Sequence, residues 1–292
     1  MVSDSAYCSP VSNLRYSKQQ RTTVRGFFLS IRRLKRYNAT MKIIVDNLAL
    51  RYRDEGKGPV VVLLHGWGQE LTTFDDLASS LSRHFRVIRL DLPGFGQSQR
   101  PSSVWGVLQY VKIVRSLLNK LNIEQPFALV GHSFGGRVAI KGAATGIIMP
   151  KKLVCIDSAG INSSNSIRNL SFKAVAKAGK WALKLPFLVP LRKPLRRKLY
   201  SAAGATDYLD AGPMREIFLK TIKEDLRDEA KKIRIPTVFI WGEDDAVTPL
   251  WEAREMSNRI QASSVRVVKE AGHFSYLDQP DKVAKIAVEF LS

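Results

Sequence analysis

Short apolar runs alternate with longer mixed segments along most of the chain. MKIIV with LALRY (41–52), VVVLLH (60–65), RVIRLD (86–91), FALVG (127–131), KLVCID (152–157), TVFIW (237–241) and VRVVK (265–269) are nearly continuous in apolar, β-branched residues. Such runs suit strands buried on both faces. The stretches 70–83, 104–121, 135–146, 249–260 and 280–291 read instead as helices. This alternation predicts an α/β fold: a mostly parallel, eight-stranded sheet with helices on both faces.

One connection breaks the rhythm. Between Asp157 and Pro236 no comparable apolar strand occurs, and Pro186, Pro190, Pro194 and Pro213 cut the segment into short basic pieces. A structureless loop of that length is implausible inside a compact domain. The expected organisation is a core over 41–160, an inserted helical cap over 161–222 and the rest of the core over 223–292. No apolar run approaches the ~20 residues that a membrane-spanning helix requires.

Charge changes this picture locally. The formal net charge is +20 over 292 residues, but residues 1–40 hold 8 Lys/Arg against 1 Asp/Glu, and residues 161–222 hold 12 against 3. Those two pieces carry most of the excess and the remainder is close to balanced. A protein that is basic throughout in order to bind nucleic acid would not look like this, and no nucleic-acid partner is expected. Residues 1–40 are Ser-rich and Arg-rich, a composition that mimics an organellar transit peptide. Phe27, Ile31 and Leu34 share one helix face ringed by Arg32, Arg33, Lys35 and Arg36, compatible with weak contact with an anionic membrane surface. The preferred expectation is a disordered leader ahead of a domain that begins at Met41.

Cys8 and Cys155 are the only cysteines, so no disulfide framework is implied and a reducing, cytoplasmic setting is expected. The four histidines lack ligand-like spacing, and no metal is expected. Nothing in the sequence signals an oligomeric state.

The candidate chemistry centres on PFALVGHSFGGRVA (126–139), where Ser133 lies between an apolar run and a small-residue helix. Gly131 and Gly135 flank it at two positions on either side, as a tight strand–turn–helix bend requires. A serine hydroxyl is a poor nucleophile without a base. His273, in EAGHFSY, follows the last predicted strand and can reach the serine across the sheet edge. The base needs a carboxylate to orient it. WGEDDAVTP (241–249) offers Asp245, three residues past Gly242, and Asp157 at the end of an earlier strand competes. Asp245 is preferred because IDSAG (156–160) also reads as a strand end turning into the cap. The order Ser133, Asp245, His273 matches a known hydrolase order.

Together with HGWG (65–68) and DLPGFGQS (91–98), these motifs make residues 41–292 resemble the α/β-hydrolase superfamily. The resemblance is to its capped members related to carboxylesterases and meta-cleavage-product hydrolases. It implies an oxyanion hole from the backbone N–H groups of Trp67 and Phe134. Both positions also follow from their places after the strand-end His-Gly pair and after the nucleophile. His65, Gly66, His132 and Phe274, in the same motifs, are the expected substrate contacts. DLPGFGQS lacks the third glycine of a dinucleotide fingerprint and reads as a structural loop, so no cofactor is expected. Relatives that dehalogenate or open epoxides carry aspartate at the nucleophile, which is absent here. Many C–C-cleaving relatives carry asparagine before the serine and tryptophan after the histidine, where this chain has His132 and Phe274.

The expected function is therefore hydrolysis of a small or medium carboxylic ester, thioester or lactone through an acyl-enzyme. C–C bond hydrolysis or lyase chemistry on the same triad is the second reading, and a non-catalytic ligand receptor is the third. Phe172, Trp181, Leu185, Phe187, Leu188 and Tyr200 could line a pocket from the cap. The run LRKPLRRKLY (191–200) reads as a solvated face or as a site for anionic lipid surfaces or acidic substrates.

Overall fold

The computed structural model describes residues 40–162 and 211–292. All but Thr40 of the expected leader (1–40) and most of the expected cap (161–222), with its candidate pocket residues and basic run, lie outside the described residues.

Eight strands form one sheet: β1 (Met41–Val45), β2 (Leu48–Gly56), β3 (Val60–Leu64), β4 (Arg86–Leu90), β5 (Ala128–His132), β6 (Lys152–Ile156), β7 (Thr237–Gly242) and β8 (Ser263–Val268). Their order is β1-β2-β4-β3-β5-β6-β7-β8. The β1–β2 and β2–β4 pairs are antiparallel and the others parallel. The helices are α1 (Asp75–Leu81), α2 (Val107–Lys120), α3 (Phe134–Thr145), α4 (Arg215–Lys223), α5 (Arg227–Ala230), α6 (Leu250–Ser257), α7 (Ser275–Asp278) and α8 (Pro280–Leu291). None of the described helices is long and apolar enough to cross a membrane.

The central strands are apolar on both faces because each face has its own core. Val62, Leu64, Leu129 and Cys155 join one core with α2, α3 and α6. Val61, Leu63, Val130 and Val154 join the other with α1 and α8. Successive side chains of a strand point to opposite faces, so one continuous run fills both. On α2, Val107, Tyr110, Val111, Val114, Leu117 and Leu118 make a single buried stripe at helical spacing.

Two strands depart from the sequence expectation. β8 lies at the sheet edge with Arg266 and Val267 exposed, so only its other neighbour side is paired and its run is not buried on both faces. β2 continues past the expected end at Tyr52 through Arg53–Gly56, a charged stretch with no strand-like apolar pattern. Its carboxylates are answered across the sheet: Arg89 binds Glu55 at 2.7 and 3.0 Å, and Arg86 binds Asp54 at 3.0 and 2.7 Å. Each is a bidentate fork, so the register rather than apolarity carries the charged half of the strand.

The strand order reverses around β3, which has β4 on one side and β5 on the other. Loops leaving the carboxyl ends of β3 and β5 therefore diverge, and in open α/β sheets such a crevice holds the ligand. The described chain on either side of residues 163–210 meets beside α3. Leu226 N–H donates to Gly160 O at 2.9 Å, and the buried Arg137 guanidinium donates to Glu224 O at 2.6 Å and Ile161 O at 3.4 Å.

Candidate active site

Ser133 occupies the bend between β5 and α3 with φ 48° and ψ −110°, a conformation that non-glycine residues rarely adopt. The flanking glycines are what the bend requires. A Cβ on Gly131 would stand 2.4 Å from Gly135 O, and one on Gly135 would stand 1.9 Å from Leu64 O. Both obstacles are backbone and cannot swing aside. Gly135→Ala is thus expected to destabilise the fold by about 3 kcal/mol or to force the bend open, measured as a fall in the urea midpoint. A midpoint equal to that of the unaltered protein would show that the bend tolerates a side chain.

His273 lies between the serine and a carboxylate. Its Nε2 is 3.0 Å from Ser133 Oγ, and its Nδ1 is 2.8 Å from Asp245 Oδ2. Asp245 is buried, and its Oδ1 accepts from Val247 N–H at 2.8 Å and Thr248 N–H at 2.9 Å. Thr248 Oγ1 lies 2.7 Å from Asp245 Oδ2 and 3.2 Å from His273 Nδ1. With the Asp245 carboxylate accepting at Nδ1, the imidazole keeps Nε2 free to accept from the serine hydroxyl. Sequence reasoning missed Thr248. Its signal is the Asp-x-x-Thr spacing, in which an aspartate oxygen binds backbone N–H groups two and three residues on.

Asp157, the competing carboxylate, does not face the histidine. Its Oδ1 accepts from Gly242 N–H at 2.8 Å, and its Oδ2 accepts from Ser275 N–H at 3.0 Å and Ser275 Oγ at 2.6 Å. Burial pushes its carboxyl up to about 7, against the three hydrogen bonds that pull it down.

Trp67, expected with Phe134 to form an oxyanion hole, follows the end of β3, and Phe134 follows Ser133 directly. Among the described residues no protein acceptor pairs with either backbone N–H, and Phe134 opens α3, whose first N–H groups have no intrahelical partner. Their rings pack edge-on with centroids 5.3 Å apart, and Phe95 and Phe218 lie 4.8 and 4.9 Å from Trp67. Phe134, next to the serine, is therefore part of a cluster of packed aromatic rings.

Two of the expected substrate contacts need correction. His65 is fully buried and spends both ring nitrogens on backbone: Nδ1 donates to Gly66 O at 2.8 Å and Nε2 accepts from Leu92 N–H at 2.8 Å. Burial also lowers its pKa, so the ring is a neutral strut between the β3 and β4 loops. His132 is likewise buried, and Nε2 donates to His273 O at 2.8 Å. Desolvation holds its pKa well below the usual histidine range, which leaves it a neutral donor bracing the His273 loop. Gly66 packs against the His132 ring, where an added Cβ would lie 2.7 Å from Nδ1. Phe274 remains half-buried, its ring 5.4 Å from that of His273.

The DLPGFGQS loop is built around Asp91. Its Oδ1 accepts from Leu71 N–H at 2.7 Å, and its Oδ2 accepts from Gln97 N–H at 2.8 Å and Arg51 at 3.2 Å. Gly96, at φ 51°, would place a Cβ 2.2 Å from the same carboxylate. This loop supports the fold and takes no part in the serine–histidine contact.

An open, mostly parallel sheet with helices on both faces, and a serine on the bend after its fifth strand, define an α/β-hydrolase fold. The chain belongs to the alpha/beta hydrolase family, whose model matches residues 61–286. It is 27% identical over 267 residues to a 2-hydroxy-6-oxo-2,4-heptadienoate hydrolase of Pseudomonas putida, covering 86% of this chain and 95% of that protein. It is 26% identical over 259 residues to a monoacylglycerol lipase of Rattus norvegicus, covering 81% and 76%. Among solved structures, an enol-lactonase from Burkholderia xenovorans superposes with a TM-score of 0.66 at 24% identity, covering 86% of this chain and 99% of that one.

Proposed function

We propose that the protein is a serine hydrolase that cleaves a small or medium carboxylic ester, or a thioester or lactone, through an acyl-enzyme. The observation that carries this reading is His273 standing 3.0 Å from Ser133 Oγ and 2.8 Å from Asp245 Oδ2. His273 Nε2 takes the hydroxyl proton as Ser133 Oγ attacks the carbonyl carbon. The carbonyl oxygen becomes an oxyanion and accepts from the Trp67 and Phe134 N–H groups. Collapse breaks the bond to the leaving oxygen, which receives the proton from His273 and departs as the alcohol. Water then attacks acyl-Ser133 and gives its proton to His273. A second collapse releases the acid and returns the proton to Ser133. The aromatic cluster that includes Phe134, the residue after the serine, supports an apolar acyl or alcohol group.

Carbon–carbon bond hydrolysis on the same residues is the second reading, favoured by the similarity to the Pseudomonas putida hydrolase. His132 and Phe274 weigh against it, since the resemblance leads one to expect asparagine and tryptophan there. A panel of esters, thioesters and lactones of graded acyl length, with products analysed, tests the proposal. Release of acid plus alcohol, with acyl-Ser133 trapped by mass spectrometry, is expected. Turnover confined to vinylogous diketones would favour the second reading. Ser133 that resists a fluorophosphonate would favour a non-catalytic receptor.

The basic insertion gives a further expectation. An ester carrying a carboxylate remote from the scissile bond should show higher kcat/KM than its neutral isostere at low ionic strength. The preference should fade toward ~0.15 M salt, where the Debye length is about 8 Å. Replacing Arg192, Lys193, Arg196 and Arg197 by glutamine should remove it. A preference that ignores salt would point to a specific contact instead.

A further inference from the structure

β6 carries none of the atoms proposed to react, yet its end touches the chain beside each of them. Ile156 O accepts from Ser133 N–H at 3.1 Å, and Ala159 N–H donates to Ser133 O at 3.1 Å. Asp157 then reaches the other two loops. Its Oδ1 accepts from Gly242 N–H, three residues before Asp245, and its backbone oxygen accepts from Thr248 Oγ1 at 3.1 Å. Its Oδ2 accepts twice from Ser275, two residues after His273. The side chain is fully buried and the backbone is held at φ 43°. A left-handed aspartate is tolerated where hydrogen bonds hold it, and here the side-chain bonds go to the end of β7 and the start of α7.

We propose that Asp157 is a positioning residue that holds the Asp245 loop and the His273 loop at the spacing that keeps His273 within reach of Ser133. The inference rests on the serine-hydrolase reading above. Three donors converge on one carboxylate, one from Gly242 at the end of β7, which leads into the Asp245 loop, and two from Ser275 at the start of α7, which follows the His273 loop, so its two oxygens set the spacing between those loops. The imidazole has to meet Asp245 on one side and Ser133 on the other. A shift of either loop lengthens one of its two contacts, and a misplacement of about 1 Å can cost about 10²-fold in rate.

Asp157→Asn tests this with little change of shape, because asparagine also tolerates a positive φ. The amide turns one accepting oxygen into an NH₂ group that faces either Gly242 N–H or the Ser275 donors. Ser275→Ala removes a single hydroxyl donor and leaves the backbone alone. Each variant is titrated with a fluorophosphonate so that rates are expressed per reactive Ser133. The labelling rate constant, kcat and KM for an ester are then measured.

For Asp157→Asn, kcat and the labelling rate should both fall about 10²-fold with KM little changed. Ser275→Ala should lose about tenfold, and the double variant should be no slower than Asp157→Asn alone, because the two side chains act through one contact. Wild-type rates per titrated site in Asp157→Asn, or a change confined to KM, would overturn the proposal. If Asp157→Asn does not fold, Ser275→Ala decides, and unchanged rates there overturn it. A wild-type protein that labels at Ser133 but turns over no ester would defeat the ester reading. The labelling rates of the variants would still decide the role of Asp157.

Discussion

Ser133→Ala is expected to lower kcat for an ester by about 10⁶-fold, the loss typical when the nucleophile of a coupled triad is removed. The thermal midpoint should stay nearly unchanged. Alanine keeps the Cβ and with it the strained backbone at φ 48° and ψ −110°, so the fold sees almost the same residue. What disappears is Oγ, whose hydrogen-bond partner is His273 Nε2 at 3.0 Å. Chemistry and packing are therefore separable at this position. Residual turnover within tenfold of the unaltered protein would sink the serine mechanism, because no other hydroxyl stands against the His273 Nε2 atom among the described residues.

Asp245→Asn is expected to lower kcat by about 10⁴-fold, through the wrong tautomer of the histidine. Val247 and Thr248 N–H both point at Oδ1, so an asparagine would place its carbonyl oxygen there and its NH₂ at the Oδ2 position. That NH₂ would face His273 Nδ1, which now lies 2.8 Å from Oδ2. The ring could meet a donor only by giving up the Nδ1 proton and carrying it on Nε2. Nε2 could then no longer accept from Ser133. Asp157→Asn should be slower than the unaltered protein by only about 10²-fold, since it acts through loop spacing and leaves the tautomer alone. Pre-steady-state acylation rates at pH 8 for both variants check the ranking. The reverse order would make Asp157 the orienting carboxylate and remove the role proposed for Asp245.

Much of this site was legible because its motifs are local. The small residues at 131, 135 and 136 are dictated by contacts within a few residues or with the adjoining strand, such as Gly131 against Gly135 O. The positions of Ser133, Asp245 and His273 follow from their places just past the ends of β5, β7 and β8. The pairing partners were not legible. Asp245 and Asp157 both follow a parallel strand, and a sequence cannot tell which of two neighbouring loops turns its carboxylate toward the histidine. His65 and His132 carry the same ring as His273 and lie in equally conspicuous motifs. Only burial separates them, since each ring is pressed among backbone groups that it must bind and cannot present to a ligand.

By itself the sequence determined the layers of this protein and the chain positions of the residues proposed to react. A strand buried on both faces is apolar at most of its residues, and a helix on one face repeats its apolar residues at 3.6, so β3 to β7 and α2 announce themselves. The tertiary structure alone decided what depends on partners distant in the chain. It extended β2 through Asp54 and Glu55 because Arg86 and Arg89 reach them diagonally from β4. It gave His273 to Asp245 and gave the Gly242 and Ser275 donors to Asp157. Charged and hydrogen-bonding groups are satisfied by direction and distance, which side-chain periodicity does not encode.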